Sequence, residues 1–68
     1  MTPWQERVIA EHEDLGEKIE KLEAFMDTET FKTLPAKEQV ILLAQCGAMD
    51  EYYYNLRRRI KLFSQGES

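Results

Sequence analysis

The stretch Asp27-Thr28-Glu29-Thr30-Phe31-Lys32-Thr33-Leu34-Pro35 separates two long segments that have helical periodicity. Threonine and proline are poor residues for a helix interior, but threonine caps helices and proline fits a first turn. The stretch therefore predicts a connector, with room for one short helical turn around Phe31 and Leu34. Because so short a connector returns the second helix antiparallel to the first, we expect an all-α antiparallel helical hairpin.

The segment before the connector predicts a first helix that begins at Pro3 and reaches Met26. Thr2 and Gln5 match a capping box, and Pro3 suits the first helical position. Gly16 is a weak helix former, which predicts either a kink or a close contact. Steps of four and three residues place one seam on a single face: Val8, His12, Leu15, Ile19, Leu22 and Met26.

The segment after the connector predicts a second helix from about Pro35 to Phe63, with Thr33 or Leu34 near its cap. Its main seam consists of Leu42, Cys46, Met49, Tyr53, Leu56, Ile60 and Phe63. A second stripe beside that seam consists of Ile41, Ala44, Ala48 and Tyr52. One apolar stripe is enough for a two-helix hairpin, so the second stripe predicts contact with another subunit.

The length of the chain also favours association of a single helical-hairpin domain, residues 1–68. So short a chain buries only ~60% of its unfolded surface, which leaves a lone core marginal. Its single cysteine cannot form an internal disulfide, and one cysteine with one histidine cannot complete a four-ligand zinc site. We therefore expect an oligomer, with neither a structural metal nor a cofactor.

Composition and motifs exclude several classes of function. No apolar run approaches the ~20 residues of a membrane-spanning helix, and no signal peptide is evident, so we expect a protein of the reducing cytoplasm without a membrane partner. Thirteen acidic against nine basic residues give a net charge of −4, which disfavours long nucleic acid as a partner. The sequence has no phosphate-binding glycine loop, HExxH motif or nucleophile elbow, so we do not expect an enzyme.

Four features are candidate ligand contacts, and each has a structural alternative. His12 interrupts an apolar seam; its ring either meets a ligand or is satisfied by a carboxylate across the hairpin. The basic cluster at residues 57–61, which includes Arg58 and Arg59, either binds phosphate or compensates the helix dipole. Tyr52 either stacks on a base or packs in a subunit interface. Thr28, near Lys32, either bonds a phosphate oxygen or caps a turn.

Two runs of residues resemble a known family. They are Arg7-Val8-Ile9-x-Glu11-His12-x-x-Leu15-x-x-Lys18-Ile19-x-Lys21-Leu22-x-x-Phe25-Met26 and Leu42-x-x-Gln45-x-x-Ala48-Met49-x-x-Tyr52-x-x-x-Leu56-x-x-Arg59-Ile60. Together they resemble the small phage anti-CBASS cyclic-nucleotide sponges, whose helical hairpin is similar to that of the larger Thoeris-countering sponges. The resemblance covers nearly the whole chain, and the second run is its more specific half.

The resemblance implies a homohexamer, built as a trimer of dimers, that sequesters cyclic di- or trinucleotides in the host cytoplasm without cleaving them. Arg59 matches the arginine of the Leu-x-x-Arg-Ile pattern, which implies a phosphate contact near the threefold axis. His12 stands where the family usually has tyrosine. Asp27 stands close to the family's phosphate-contacting lysine, for which Lys32 is the nearest substitute, and Thr28 would supply a hydroxyl.

A protein-interaction hairpin fits the same helical pattern. A Rop-like RNA-binding dimer and a small adaptor are the examples of this second class. Native mass and response to cyclic nucleotides separate the two hypotheses, because only the sponge is expected to form six-chain assemblies that bind these ligands.

Overall fold

A computed structural model gives the structure of residues 1–66, which form a rod of 48 × 15 × 15 Å. Helix α1 spans Pro3–Met26, α2 spans Glu29–Lys32 and α3 spans Ala36–Ser64. The first turn of α1 lies beside the last turns of α3, where the rings of Trp4 and Phe63 meet edge to face at 5.5 Å. The long helices are thus antiparallel, which confirms the predicted hairpin.

Helix α1 begins as its first residues predict. The backbone N–H of Thr2 donates to Gln5 Oε1 at 2.9 Å, and the N–H of Gln5 donates to Thr2 Oγ1 at 3.4 Å. These bonds satisfy two donors that an uncapped helix would leave free. The helix continues unbroken through Gly16, so of the two predicted roles the close contact described below is the one observed.

The connector contains the short helical turn that its sequence predicts. Thr28 caps α2 by accepting from the N–H of Phe31 at 3.3 Å, and Phe31 is buried with its ring edge-on to Phe25. The amide of Gln39 donates to the carbonyl oxygen of Leu34 at 2.8 Å, which ties the first turn of α3 back onto the connector. The direction of the chain reversal is therefore set by an aromatic contact and by side-chain hydrogen bonds.

The start of α3 corrects one prediction. Its cap is Pro35, in an extended conformation, rather than Thr33 or Leu34. The carbonyl oxygen of Pro35 accepts from the N–H groups of Glu38 and Gln39, and the first helical residue is Ala36. Thr33 instead ends α2, and its hydroxyl donates to the carbonyl oxygen of Thr30 at 2.7 Å.

The core lies along the two predicted seams. Leu56 is its most buried residue, with 1% of its surface exposed. Around it pack buried residues of α1 and partly buried residues of α3: Val8, Leu15, Ile19, Met49, Tyr53, Ile60 and Phe63. Cys46 is also buried, as the seam predicts. The hairpin therefore uses one face of each long helix.

The second stripe of α3 is not covered by the hairpin. Ile41 is 63% exposed and Tyr52 is 46% exposed, and Ala44 and Ala48 are exposed as well. Other exposed apolar residues, which the sequence analysis did not single out, lie elsewhere around the same helix: Val40, Leu43, Tyr54 and Leu62. Contact of this stripe with another subunit remains a prediction.

Within residues 1–66, no helix combines the length and the apolar character that crossing a membrane requires.

Candidate functional site

A stacked pair of rings joins α1 to α3 within the rod. His12 lies in the α1 seam and Tyr53 in the α3 seam, and their rings stack with centroids 4.1 Å apart and planes inclined by 15°. Gly16 lies one turn after His12, and a Cβ atom at this position would stand 3.0 Å from Cε1 of Tyr53. Any larger residue here would require the tyrosine ring to shift by a few tenths of an ångström.

Arg57 extends this stack on the α3 side. Its guanidinium carbon lies 5.1 Å from the centroid of the Tyr53 ring, and Nη2 donates to the Tyr53 hydroxyl oxygen at 3.4 Å. On a different side of α3, the guanidinium carbon of Arg58 lies 5.6 Å from the centroid of the Tyr54 ring, which is one helical turn earlier. A cation above an aromatic face is attracted by the ring's negative charge density. Neighbouring arginines of the basic cluster therefore face different directions and different rings, as the turn of about 100° per helical residue requires.

His12 keeps one unsatisfied atom. Its Nε2 is buried and has no hydrogen-bond partner among residues 1–66. The carboxylate across the hairpin, which the structural alternative predicted, does not bond it; the Tyr53 ring lies there instead. A buried nitrogen without a partner costs free energy, so this atom is the part of the stack best able to gain from a further contact.

An acidic cleft lies beside the stack, between α1 and α3. It measures about 220 Å³ and is lined by Gly16, Ile19, Glu20, Glu23, Asp50 and Tyr53. Three of these six residues are carboxylates, so the cleft repels phosphate. Its electrostatics make it a poor pocket for a nucleotide.

Cys46 does not line this cleft but lies next to two residues that do, Glu23 and Asp50. One ligand atom from each of Glu23, Cys46 and Asp50 lies within 4.8 Å of the other two. Burial raises the pKa of the Cys46 thiol, and the nearby carboxylates of Asp50 and Glu23 raise it further. Both causes disfavour the negatively charged thiolate. Helical periodicity predicts that Cys46 is buried, but it does not predict this grouping, because Glu23 comes from the other helix.

The residues predicted to contact ligand are not brought together within one chain. Thr28 caps α2 and Lys32 pairs with Glu29 at 3.4 Å, both at the connector end of the rod. Arg58 and Arg59 lie near the end of α3, and about 23 residues of helix, or roughly 35 Å, separate them from the connector.

Tyr52 and Arg59 do share a side of α3. They are seven residues apart, which is close to two full helical turns, and both are exposed. Arg59 thus continues the second stripe beyond Tyr52, whereas Arg58 points about 100° away. Both Tyr52 and Arg59 are sequence candidates, and their alignment follows from a spacing of seven residues that was not used in the prediction.

Comparison with known proteins adds a family match. A family model described as Sequestin matches residues 2–62. A protein of Enterobacteria phage T4, described as an uncharacterized 7.5 kDa protein in the denB-rIIB intergenic region, is 38% identical over 63 residues, which cover 93% of this chain and 98% of the T4 protein. No solved structure matches the chain. The two sequence matches confirm the family resemblance predicted from the sequence.

Proposed function

Because this chain belongs to the Sequestin family, we propose that it is a phage sponge, which binds cyclic di- or trinucleotide messengers in the host cytoplasm and does not cleave them. The pockets lie between the protomers of a homohexamer arranged as a trimer of dimers. The family's name indicates sequestration, which favours binding over turnover. Sequestration acts by mass action, so it lowers the free messenger only if the sponge is abundant and binds tightly.

The alignment of Tyr52 and Arg59 is the observation that carries this proposal. Two helical turns separate them by about 10 Å along α3, on a side that the hairpin leaves exposed. An aromatic ring stacks on a base of any sequence, and a guanidinium binds phosphate oxygens in a bidentate manner. The pair therefore supplies both contacts that a nucleotide needs, next to the apolar residues expected to join subunits.

The distribution of charge also favours the C-terminal end of α3 as the place where phosphate binds. The cleft between α1 and α3 is acidic and unsuited to phosphate. The basic residues 57–61 lie at the end of α3, and Arg58 and Arg59 are both exposed there. Symmetry would repeat one arginine per chain around a bound anion, so a chain of net charge −4 can still form a positive pocket.

The length of the rod supports a pocket made from more than one chain. Thr28 and Lys32 lie at the connector end, far from Arg58 and Arg59. A second copy that packs antiparallel to the first brings its connector end next to the first copy's arginines. In such a pair the amine of Lys32 acts on the ligand together with the partner's arginines. The hydroxyl of Thr28 joins them if it turns its proton away from the carbonyl oxygen of Phe25, to which it donates at 2.6 Å. His12 acts on the ligand only if assembly exposes its Nε2, which is buried and unpaired within the single hairpin.

The decisive experiment combines native mass with ligand titration. Light scattering should give the mass of six chains, and calorimetry across a panel of cyclic di- and trinucleotides should show binding of at least one class. The recovered nucleotide should be chemically unchanged, because its consumption would indicate an enzyme. A dimer that ignores every cyclic nucleotide would support the interaction hairpin instead, either a Rop-like RNA-binding dimer or an adaptor.

A matched pair of variants tests the arginine. Arg59→Gln should weaken binding roughly tenfold or more, since it removes charged hydrogen bonds to phosphate. Lys61→Gln removes one positive charge from the same end of α3 but from the opposite side of the helix, and should change the affinity less than about threefold. Equal losses in the two variants would assign the effect to net charge rather than to the Tyr52–Arg59 face.

A further inference from the structure

Three potential metal ligands meet where the last turn of α1 packs against α3. Glu23 comes from α1, and Cys46 and Asp50 come from α3, one helical turn apart. The Cys46 sulfur and one carboxylate oxygen from each acid all lie within 4.8 Å of one another. In a tetrahedral zinc site with Zn–S near 2.3 Å and Zn–O near 2.0 Å, such atoms stand roughly 3.5 Å apart. Small side-chain rotations would therefore bring the three groups to coordinating distance.

The two acidic side chains of this group are not balanced by basic side chains among residues 1–66. The ion pairs formed within residues 1–66 are Asp14–Lys18 and Glu29–Lys32, so neither Glu23 nor Asp50 has a basic partner within 4 Å. Cys46 is only 7% exposed, and its thiol makes no hydrogen bond within this part of the chain. Two carboxylates thus converge on a buried, unpartnered sulfur, an arrangement that a bound cation would stabilise.

We propose that Glu23, Cys46 and Asp50 form a binding site for a thiophilic divalent cation such as Zn²⁺, which links α1 to α3. This departs from the expectation of no metal, which considered only cysteine and histidine as ligands. The three side chains supply one sulfur and two oxygen ligands. The adjoining cleft of about 220 Å³, bordered by Glu23 and Asp50, leaves room for a water molecule as fourth ligand. On binding, the Cys46 S–H bond breaks, an S–Zn bond forms and one proton passes to solvent.

The thiol distinguishes this site from a surface patch of acids. Mg²⁺ and Ca²⁺ take oxygen ligands and would bind two exposed carboxylates weakly and without regard to Cys46. Zn²⁺ and Cd²⁺ accept thiolate readily, and the preference should disappear when the sulfur is removed. The ion joins two helices of one hairpin, so this site is separate from the proposed nucleotide pockets between chains.

The test uses the full chain, reduced and free of metal, without any nucleotide. Cd²⁺ should produce an ultraviolet thiolate-to-metal absorption band that saturates at one ion per chain. Zn²⁺ well above its dissociation constant should raise the melting temperature by about 5 °C, whereas Mg²⁺ at the same concentration should not. Absence of the Cd²⁺ band, or an equal response to Mg²⁺, would overturn the proposal.

Variants complete the test. Cys46→Ala should abolish the Cd²⁺ band. Glu23→Gln and Asp50→Asn change exposed side chains, so the hairpin should still fold even if Cys46→Ala does not. Each should keep or raise the melting temperature of the metal-free protein and lose most of the Zn²⁺-induced rise. Glu51→Gln, next to the site but directed to another side of α3, should retain the full rise; loss of the rise in this control, or its survival in both site variants, would refute the site.

Discussion

The inner seam of α3 and its second stripe both consist of apolar residues and tyrosine, with one cysteine in the seam, but they have different surroundings. In the seam, Leu56 and Cys46 are covered by α1. In the stripe, Ile41 and Tyr52 remain exposed, with no element among residues 1–66 to cover them. A hydrophobic side chain stabilises the folded chain only when folding removes it from water. The same residue types therefore stabilise the hairpin on one side and are left available for assembly on the other.

The two sides also differ in how polar residues are used. Facing α1, Tyr53 is held between His12 and Arg57, and Gly16 allows its ring to approach closely. On the second stripe, Tyr52 is exposed and in line with Arg59. An aromatic residue fixed inside the rod positions helices, whereas one that remains free can meet a base or another protomer. Neighbouring tyrosines thus have different surroundings.

The largest expected change in the free energy of unfolding comes from a substitution in the inner seam of α3. Leu56→Ala should lower the free energy of unfolding by about 3 kcal/mol, because it removes buried methyl groups and leaves a cavity in the core. Ile41→Ala on the second stripe should cost less than about 0.5 kcal/mol in dilute, dissociated protein, where its side chain is already in water. Urea unfolding followed by circular dichroism measures both. Similar losses in dilute protein would mean that the stripe is covered within one chain.

The next largest effect, about 2 kcal/mol or more, is on the free energy of contact between subunits. Ala48→Glu places an unpaired charge on the second stripe and should destabilise each subunit contact by that amount, because burial of a lone carboxylate is costly. Light scattering should show a mass below that of wild type, with the helix content preserved. The control is Ala48→Gln, which has nearly the same size without the charge and should reduce the mass less. Unchanged mass with glutamate would remove the stripe from the interface.

A smaller effect, about 1 kcal/mol, distinguishes the two glycines. A methyl group at Gly47 would face open space. Gly47→Ala should therefore raise the free energy of unfolding by about 1 kcal/mol through helix propensity alone. Gly16→Ala should lose about 1 kcal/mol net, because the new methyl group displaces the Tyr53 ring from its stack on His12. Melting temperatures of the two variants should move in opposite directions. A gain in both would show that the Tyr53 ring adjusts freely.

The smallest effect concerns the ionisation of Cys46. Since its pKa is raised in the folded chain, the stabilisation due to the neutral thiol is complete at low pH and is lost as pH rises through the alkaline range. In metal-free protein, a thiol reagent should react with Cys46 more slowly than with a free cysteine. Its rate should continue to rise at a pH where ordinary cysteine is fully ionised. Asp50→Asn should speed the reaction at a given alkaline pH, whereas a rate like that of free cysteine would contradict the burial.

Local patterns predicted much of the fold because they depend on neighbouring residues. Thr2, Pro3 and Gln5 determine the start of α1 through hydrogen bonds within one turn. The two seams follow from helical periodicity and were confirmed as the core. The start of α3 was misplaced, because Gln39 bonds back to the connector and Thr33 bonds to Thr30, and neither contact has a strong sequence signal.

Periodicity also singled out candidate site residues, but not what surrounds them. His12 stood out because it interrupts an apolar seam, yet its partner is Tyr53 rather than a carboxylate. The meeting of Glu23 with Cys46 and Asp50 depends on the relative register of two helices. That register depends on how side chains from distant parts of the chain interlock, and no local pattern specifies it.

The amino-acid sequence by itself determined that two amphipathic helices form, where the connector lies, and that the chain has one apolar stripe more than a hairpin needs. These features follow from spacing along the chain. Only the tertiary structure decided which side of α3 is covered, which tyrosine is enclosed and which carboxylates meet the thiol. Those outcomes depend on the packing of α1 against α3, since contacts between distant residues form only when both helices bury their seams together.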